Sequence, residues 1–217
     1  MNYFFYKRFF DIFLSLVLIL ILSPIFILII LSYFFFFIGK PFYISNRVGY
    51  QGKLFRIYKF RTMVLNAENI GSVVTSLNDR RNIIFGRFLR RTKLDELPQL
   101  FNILEGSMSF VGPRPNFKKL VKKYPKPIKK IIYRLKPGLT DFSTLLFTDM
   151  DSVVSKKNSE KKYLFYVQPI KNFLIYNYYN KINFITDIKI LFFTFFSLLN
   201  IIRFNKKMLY KVFKIKC

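Results

Sequence analysis

The sequence predicts an α+β protein, mostly helical, in which one apolar N-terminal helix enters a membrane and a small polar domain follows it. Three observations carry this. No residue from Ile12 to Ile38 is charged, a run long enough for the roughly 30 Å hydrocarbon core of a bilayer. Residues 41–63 alternate around a turn marked by Gly49 and Gly52, as a β-hairpin does. Beyond them apolar residues recur at helical spacing between Gly and Pro stops. A length of 217 residues suits one domain plus a membrane element. The boundaries read as 1–40 for the membrane helix, 41–205 for the domain and 206–217 for a basic tail.

The chain carries 37 Lys and Arg against 11 Asp and Glu, a formal charge of +26. Such a surplus attracts polyanions, whether nucleic acid, an anionic membrane surface or phosphorylated small molecules. Histidine is absent, so acid, base and nucleophile roles fall to carboxylates, Lys, Tyr or hydroxyls. The single cysteine, Cys217, excludes a disulfide or a thiolate metal site within one chain and fits a reducing, cytoplasm-facing location.

The first helix has Ser23-Pro24 at the centre of its apolar run. Proline removes a backbone donor and crowds the preceding turn, which predicts a kink, and Ser23 can bond a carbonyl freed there. Lys7 and Arg8 precede the run, and Lys40, Arg47, Lys53 and Arg56 follow it. Positive charge at both ends favours placing both on the cytoplasmic side. A re-entrant helix hinged at Ser23 and Pro24 satisfies that; a crossing helix with a tolerated proline stays open on the residues alone. A cleavable signal fits poorly, because it has an apolar core of only about 7–15 residues and a small-residue cleavage site, neither of which is seen here.

In the second hairpin strand Phe55, Ile57, Lys59 and Arg61 share one face by period two. Two apolar residues followed by two cations suggest a strand that leaves the core and ends at an anion, although a solvated strand end has the same pattern. Residues 64–82 read as polar loop, with room for a short helix, and residues 83–92 as a helix. Thr92 and Asp95 have capping-box spacing for the next helix, whose first turn Pro98 makes irregular and which stops at Gly106. "GSMSFVGPRPNF" reads as a punctuated loop that constrains Arg114. Residues 118–136 read as a helix broken by prolines, 139–148 as a strand, 149–162 as a charged turn region and 163–180 as helix. The uncharged stretch Ile190–Ile202 is short for a crossing and reads as a core or interfacial helix, and the tail adds cations that favour anionic lipid.

Within "LRRTKLDELPQL", residues 89–100, Asp95 and Glu96 are the only adjacent acidic pair in this basic chain. They can favour a helix N-terminus through its dipole. They can also serve as nucleophile, proton carrier or ligand to a hard cation such as Mg²⁺. Lys59, Arg61, Arg90, Arg91 and Arg114 would suit a diphosphate, since cations let an anionic nucleophile approach an anionic phosphorus. The chemistry that fits is phosphoryl-type transfer.

The blocks "YKFRTM" (58–63), "LRRTKLDELPQLFNILEGSMSFVGPRP" (89–115) and "LKPGLTD" (135–141), behind an apolar segment containing Ser-Pro, resemble the bacterial sugar transferase family of monotopic phosphoglycosyl transferases, in its small form. The resemblance runs from about residue 3 to 202. It implies a re-entrant helix hinged at Ser23-Pro24 in the bacterial inner membrane, with a small catalytic domain and interfacial amphipathic helices on the cytoplasmic face. It also implies transfer of a sugar 1-phosphate from a nucleotide diphosphate sugar, usually UDP-linked, to undecaprenyl phosphate, releasing UMP and starting polysaccharide or glycoconjugate assembly. By the same resemblance Asp95 is the nucleophile of a covalent phosphosugar intermediate. Glu96 assists in metal binding or proton handling, Mg²⁺ is required at Asp95 and Glu96, and Lys59, Arg61, Arg90 and Arg114 face phosphate. Downstream glycosyltransferases are implied partners. One departure stands out: many members continue from Pro-Gly-Ile-Thr with Gly-x-Ala-Gln-Val-x-Gly-Arg, whereas this chain reads "PGLTDFSTLLFTDMDS". The Gly, Gln and final Arg are missing, which leaves the sugar and nucleotide contacts there without their usual residues.

The competing reading is a non-catalytic, membrane-anchored basic protein that docks anionic lipid or a glycan-assembly partner. A specific nucleic-acid binder would leave the apolar run and the Asp95-Glu96 pair without a role.

Overall fold

The computed structural model describes residues 2–35, 39–67, 70, 79–147 and 163–215. Helix α1, Asn2–Phe35, is continuous through Pro24. Proline at 24 leaves the Leu20 carbonyl without its usual i+4 donor, and Ser23 Oγ donates to that same carbonyl at 2.8 Å. The hydroxyl thus replaces the missing amide within an apolar segment, where an unpaired carbonyl would be costly.

Both halves of α1 lie against the domain. In the N-terminal half Arg8 Nη1 and Nη2 donate to the Ile103 and Leu104 carbonyls at 2.6 and 2.7 Å, and Asp11 Oδ1 accepts from the Phe110 amide at 3.1 Å. Tyr3, Lys7 and Tyr178 all donate to Asp187. In the C-terminal half Phe26 packs on Phe60 and Phe101, and the Tyr33 hydroxyl donates to the Arg61 carbonyl. The remaining faces leave Phe5, Phe9, Leu20, Ile21, Leu28 and Phe35 among many exposed apolar side chains.

Strands β1, Phe42–Val48, and β2, Leu54–Phe60, pair antiparallel with Phe42 opposite Phe60. The predicted hairpin is therefore present, its turn carried by positive φ at Gln51 and Gly52. The two faces of β2 are less distinct than the alternation suggests: Ile57 is buried on one and Phe60 on the other, because α1 covers the end of the second face. Of the stretch 64–82, the described residues form turns, with Met63 bridged to Asn82 and Arg81 donating to the Ala67 carbonyl at 2.7 Å.

Helix α2, Ile84–Thr92, starts where Gly86 crosses the Thr62 backbone so closely that a Cβ there would sit 2.1 Å from the Thr62 oxygen. The chain then bends at Lys93 (φ 60°), makes a 3₁₀ turn over Leu94–Glu96 and enters α3, Gln99–Glu105, which ends at Gly106 (φ 93°). The expected capping box does not form. Thr92 is the last residue of α2 and its hydroxyl donates back to Phe88 and Leu89, leaving a left-handed Lys93 to start the next turn.

Part of the predicted "GSMSFVGPRPNF" loop is a strand, β3, Ser109–Val111, which pairs parallel with β4, Gly138–Thr140. Between them lie α4, Lys118–Lys122, and α5, Lys126–Arg134, separated by the expected proline break. The predicted strand over 139–148 ends at Thr140. Asp141 Oδ1 accepts from the Thr144 amide at 2.7 Å and from the Ser143 and Thr144 hydroxyls, so it caps α6, Phe142–Leu146. The predicted turn region 149–162 lies outside the described residues.

After a π turn over Tyr163–Val167 come α7, Gln168–Asn180, and α8, Phe184–Leu198. In α8, Asp187, Ile190 and Ser197 point inward while Ile185, Ile188, Phe192, Phe195 and Leu198 remain exposed, which is an interfacial pattern. The stretch expected as a basic tail forms α9, Lys206–Val212, and returns to the core through Leu209, Phe213 and Ile215. That core unites Leu89, Ile103, Met108, Leu145, Leu174 and Ile190 with Phe26, Ile29 and Tyr33 of α1.

Candidate active site

The Lys93 bend and the proline after Leu97 hold Asp95 and Glu96 on an isolated 3₁₀ turn rather than inside a regular helix. Asn102 fixes this turn relative to the hairpin. Fully buried, it donates from Nδ2 to the Arg56 carbonyl at 2.7 Å and accepts at Oδ1 from the Tyr58 amide at 2.9 Å. It thereby occupies ladder groups of β2 one residue from Lys59, whose Nζ donates to Glu96 Oε1 at 2.7 Å. Arg114 Nη2 donates to the same oxygen. Its loop is set by the Gly112–Gly138 crossing, where a Cβ on Gly138 would meet the Gly112 nitrogen at 2.1 Å.

The two carboxyls are therefore in opposite electrostatic situations. Burial alone would raise Glu96, but the Arg114 guanidinium and the Lys59 ammonium outweigh it and hold Glu96 well below the usual carboxylate range. Asp95 is buried beside it with no hydrogen-bond partner among the described residues. Burial pushes its carboxyl up to about 6, against the pull of Lys59 and with the repulsion of Glu96. One carboxylate is pinned and held in its charged form by two cations; its neighbour is raised by burial and lines the cleft. Pairs of acids whose surroundings separate their affinities in this way divide chemical roles.

Asp95, Glu96, Lys59, Arg61, Arg90 and Arg114 all line one cleft of about 1120 Å³. Arg90 donates from Nη1 to Asn82 Oδ1 at 3.1 Å and draws Asp95 electrostatically. Arg61 donates to the Lys40 and Phe42 carbonyls at 3.0 and 3.1 Å, so at least two of its nitrogens tie down the hairpin base. Ser23 and Pro24 do not line the cleft, whereas Leu18 and Leu22 of the same helix do, together with Leu191, Phe195 and Leu198 of α8. The cleft is thus cationic at the carboxylates and apolar toward α1.

Sequence reasoning had not singled out Lys93, Arg47 or Lys171 as site residues, and all three line the cleft. Arg47 stacks its guanidinium 3.2 Å from the centre of the Phe117 ring. No cluster of three carboxylates, His or Cys exists among the described residues. The donor set nonetheless suits a hard cation. Asp95 and the second oxygen of Glu96 offer carboxylate oxygens, and Mg²⁺ characteristically takes one or two carboxylates and completes its shell with water and substrate phosphates.

The sequence profile of the bacterial sugar transferase family matches residues 2–201. Among curated proteins, the undecaprenyl-phosphate galactose phosphotransferase of Salmonella typhimurium (strain LT2) is 38% identical over 155 residues, covering 63% of this chain and 31% of that protein. The UDP-N-acetylgalactosamine-undecaprenyl-phosphate N-acetylgalactosaminephosphotransferase of Aeromonas hydrophila is 34% identical over 146 residues, covering 66% of this chain and 34% of the relative. The UDP-glucose:undecaprenyl-phosphate glucose-1-phosphate transferase of Escherichia coli (strain K12) is 34% identical over 199 residues, 88% of this chain and 39% of its own length. The chain spans about a third of the length of these three relatives.

Proposed function

The chain belongs to the bacterial sugar transferase family, and from that premise we propose that it transfers a sugar 1-phosphate from a nucleotide diphosphate sugar to a polyprenyl phosphate through a covalent intermediate on Asp95. The carrying observation is the contrast within the acidic pair: Glu96 is locked by two cations while the Asp95 carboxyl has no partner and lines the cleft. An Asp95 oxygen attacks the sugar-bearing phosphorus, the phosphoanhydride bond breaks, and the nucleoside monophosphate leaves. A phosphate oxygen of the acceptor then attacks the aspartyl-bound phosphorus, breaking its bond to Asp95 and yielding a polyprenyl diphosphate sugar. Lys59, Arg90 and Arg114 offset the negative charge gathered around that phosphorus. Mg²⁺, held by Asp95 and Glu96, would supply further charge neutralisation on the phosphate oxygens. UDP is the favoured donor nucleotide because two of the relatives above carry UDP-sugars in their names.

Helix α1 is read as re-entrant. Arg8 and Tyr33 both bond to the one domain, although about 37 Å would separate them along a straight helix at 1.5 Å per residue. Residues exposed between these anchors are apolar and suit insertion into one leaflet of the bacterial inner membrane, with the domain on the cytoplasmic face. Its shallow insertion would present an acceptor headgroup to the apolar side of the cleft.

The test is UMP release from a panel of UDP-sugars with undecaprenyl phosphate and Mg²⁺. Wild-type chain should release UMP, Asp95→Asn should lower the rate at least ~10³-fold, and sugar-labelled donor should leave label on the protein before acceptor is added. Turnover by Asp95→Asn near the wild-type rate would remove the nucleophile assignment. A wild-type chain that binds lipid without releasing nucleotide would favour the docking protein instead.

A further inference from the structure

Among the described residues Lys171 is a cation held by aromatic rings rather than by a carboxylate. It sits in the first turn of α7, half-buried, lining the same cleft as Asp95 and Arg114. Its ammonium lies 5.2 Å from the centre of the Tyr163 ring and 6.0 Å from that of Phe147, so two aromatic faces hold the side chain. Among the described residues nothing accepts a hydrogen bond from it or forms an ion pair with it. Among the described residues the carboxylate acting on it electrostatically is Asp141, which is engaged in capping α6 through Ser143 and Thr144. Burial lowers the Lys171 ammonium to about 8, with Asp141 opposing and Arg114 adding to the shift. A desolvated ammonium without a hydrogen-bonding counter-charge destabilises the fold, and such groups are characteristic of binding sites.

Lys59, Arg90 and Lys93 act on Asp95, and Arg114 acts on both Glu96 and Lys171, so the cations extend from the acidic pair to Lys171. A diphosphate has two centres. Only one of them is the phosphorus that Asp95 attacks; the other leaves with the nucleoside.

We propose that Lys171 is the positioning cation for the second phosphoryl group of the donor, the one that departs on the nucleoside monophosphate. This rests on the reading of the cleft as a nucleotide diphosphate sugar site. In that role the ammonium donates to non-bridging oxygens of the leaving phosphate and draws the phosphoanhydride into line with Asp95, while Tyr163 and Phe147 fix its side chain.

The experiment measures UDP binding to the full chain in detergent, with Mg²⁺, by titration calorimetry, alongside thermal unfolding and steady-state kinetics. Lys171→Met keeps the aliphatic stem on Tyr163 and Phe147 and removes the charge. It should weaken UDP binding roughly 10- to 100-fold and raise KM for the UDP-sugar by a similar factor, with KM for the lipid acceptor unchanged. Its Tm should hold or rise. Lys171→Arg should recover most of the binding. Unchanged UDP affinity in Lys171→Met, or loss of affinity accompanied by a lower Tm and no recovery by Arg, would overturn the proposal. So would a wild-type chain that binds no UDP. Failure of the broader reading is separately visible as absence of UMP release by wild-type chain that still binds UDP through Lys171.

Discussion

At the scale of single residues, the acidic pair makes opposite contributions to stability. The Asp95 carboxyl is raised to about 6, so the folded chain holds its proton more tightly than the unfolded chain does. Stability therefore falls as pH rises from the ordinary carboxyl value of 3.8 through about 6. Asp95→Asn removes that penalty: at pH 7.5 differential scanning calorimetry should show a Tm higher by roughly 2–8 °C, for about 1–2 kcal/mol, and the gain should vanish near pH 4. Glu96 has the reverse sign. Held below its ordinary 4.5, it stabilises the fold above that value and loses this contribution as pH falls. Glu96→Gln strands Arg114 and Lys59 without their counter-charge, so its Tm at pH 7.5 should drop, with a cost of about 1–3 kcal/mol because both cations keep some contact with solvent. On the proposed mechanism the same titration would set the activity: the rate of label transfer to protein should climb as pH passes through about 6, where Asp95 ionises. The acidic pair was legible because it is the only adjacent pair in so basic a chain. Lys171 was not. Any of 37 cations could have been the desolvated one, and only the approach of α7 to α6 and the cleft distinguishes it.

At the scale of elements, Asn102 ties α3 to β2 and so sets the register between the acidic turn and Lys59. Asn102→Ala leaves a part-buried β2 amide and carbonyl without their side-chain partner, at a cost of about 1–3 kcal/mol. We expect lower Tm and a kcat reduced more than tenfold with donor KM changed less, measured on the UMP-release assay. The hairpin could be read from sequence because two seven-residue strands are long enough to display alternation around a glycine turn. Strand β3 is three residues long and shows no period at all. The misreading of 139–148 has a local cause. β-branched and aromatic residues there resemble a strand, but Asp141 followed by Ser143 and Thr144 offers a ready-made cap, and that capping geometry wins. Thr92 erred in the other direction: the spacing to Asp95 matched a capping box, yet α2 had already claimed the hydroxyl.

At the scale of the whole molecule, the long apolar helix and the domain fold as one body, with Phe26, Ile29 and Tyr33 belonging to the same core as Leu89 and Ile190. Sequence composition could identify the apolar run but not its partners, since Arg8 meets Ile103 and Leu104 across nearly a hundred residues. The same-side arrangement is open to direct measurement. In a Cys217→Ser background, Tyr6→Cys and Asn46→Cys should both react with a membrane-impermeant maleimide in inside-out vesicles and neither in intact spheroplasts. Reaction of the two from opposite sides would make α1 a crossing helix. The apolar wall formed by Leu18, Leu22, Leu191, Phe195 and Leu198 bears on kinetics. On the proposed function, a lipid acceptor reaching Asp95 past that wall would never leave its leaflet, so its encounters would be those of a two-dimensional fluid while the nucleotide arrives from three. Diluting the vesicles at fixed lipid composition should then leave one substrate's supply untouched, with turnover tracking the mole fraction of acceptor in the bilayer rather than its amount per litre.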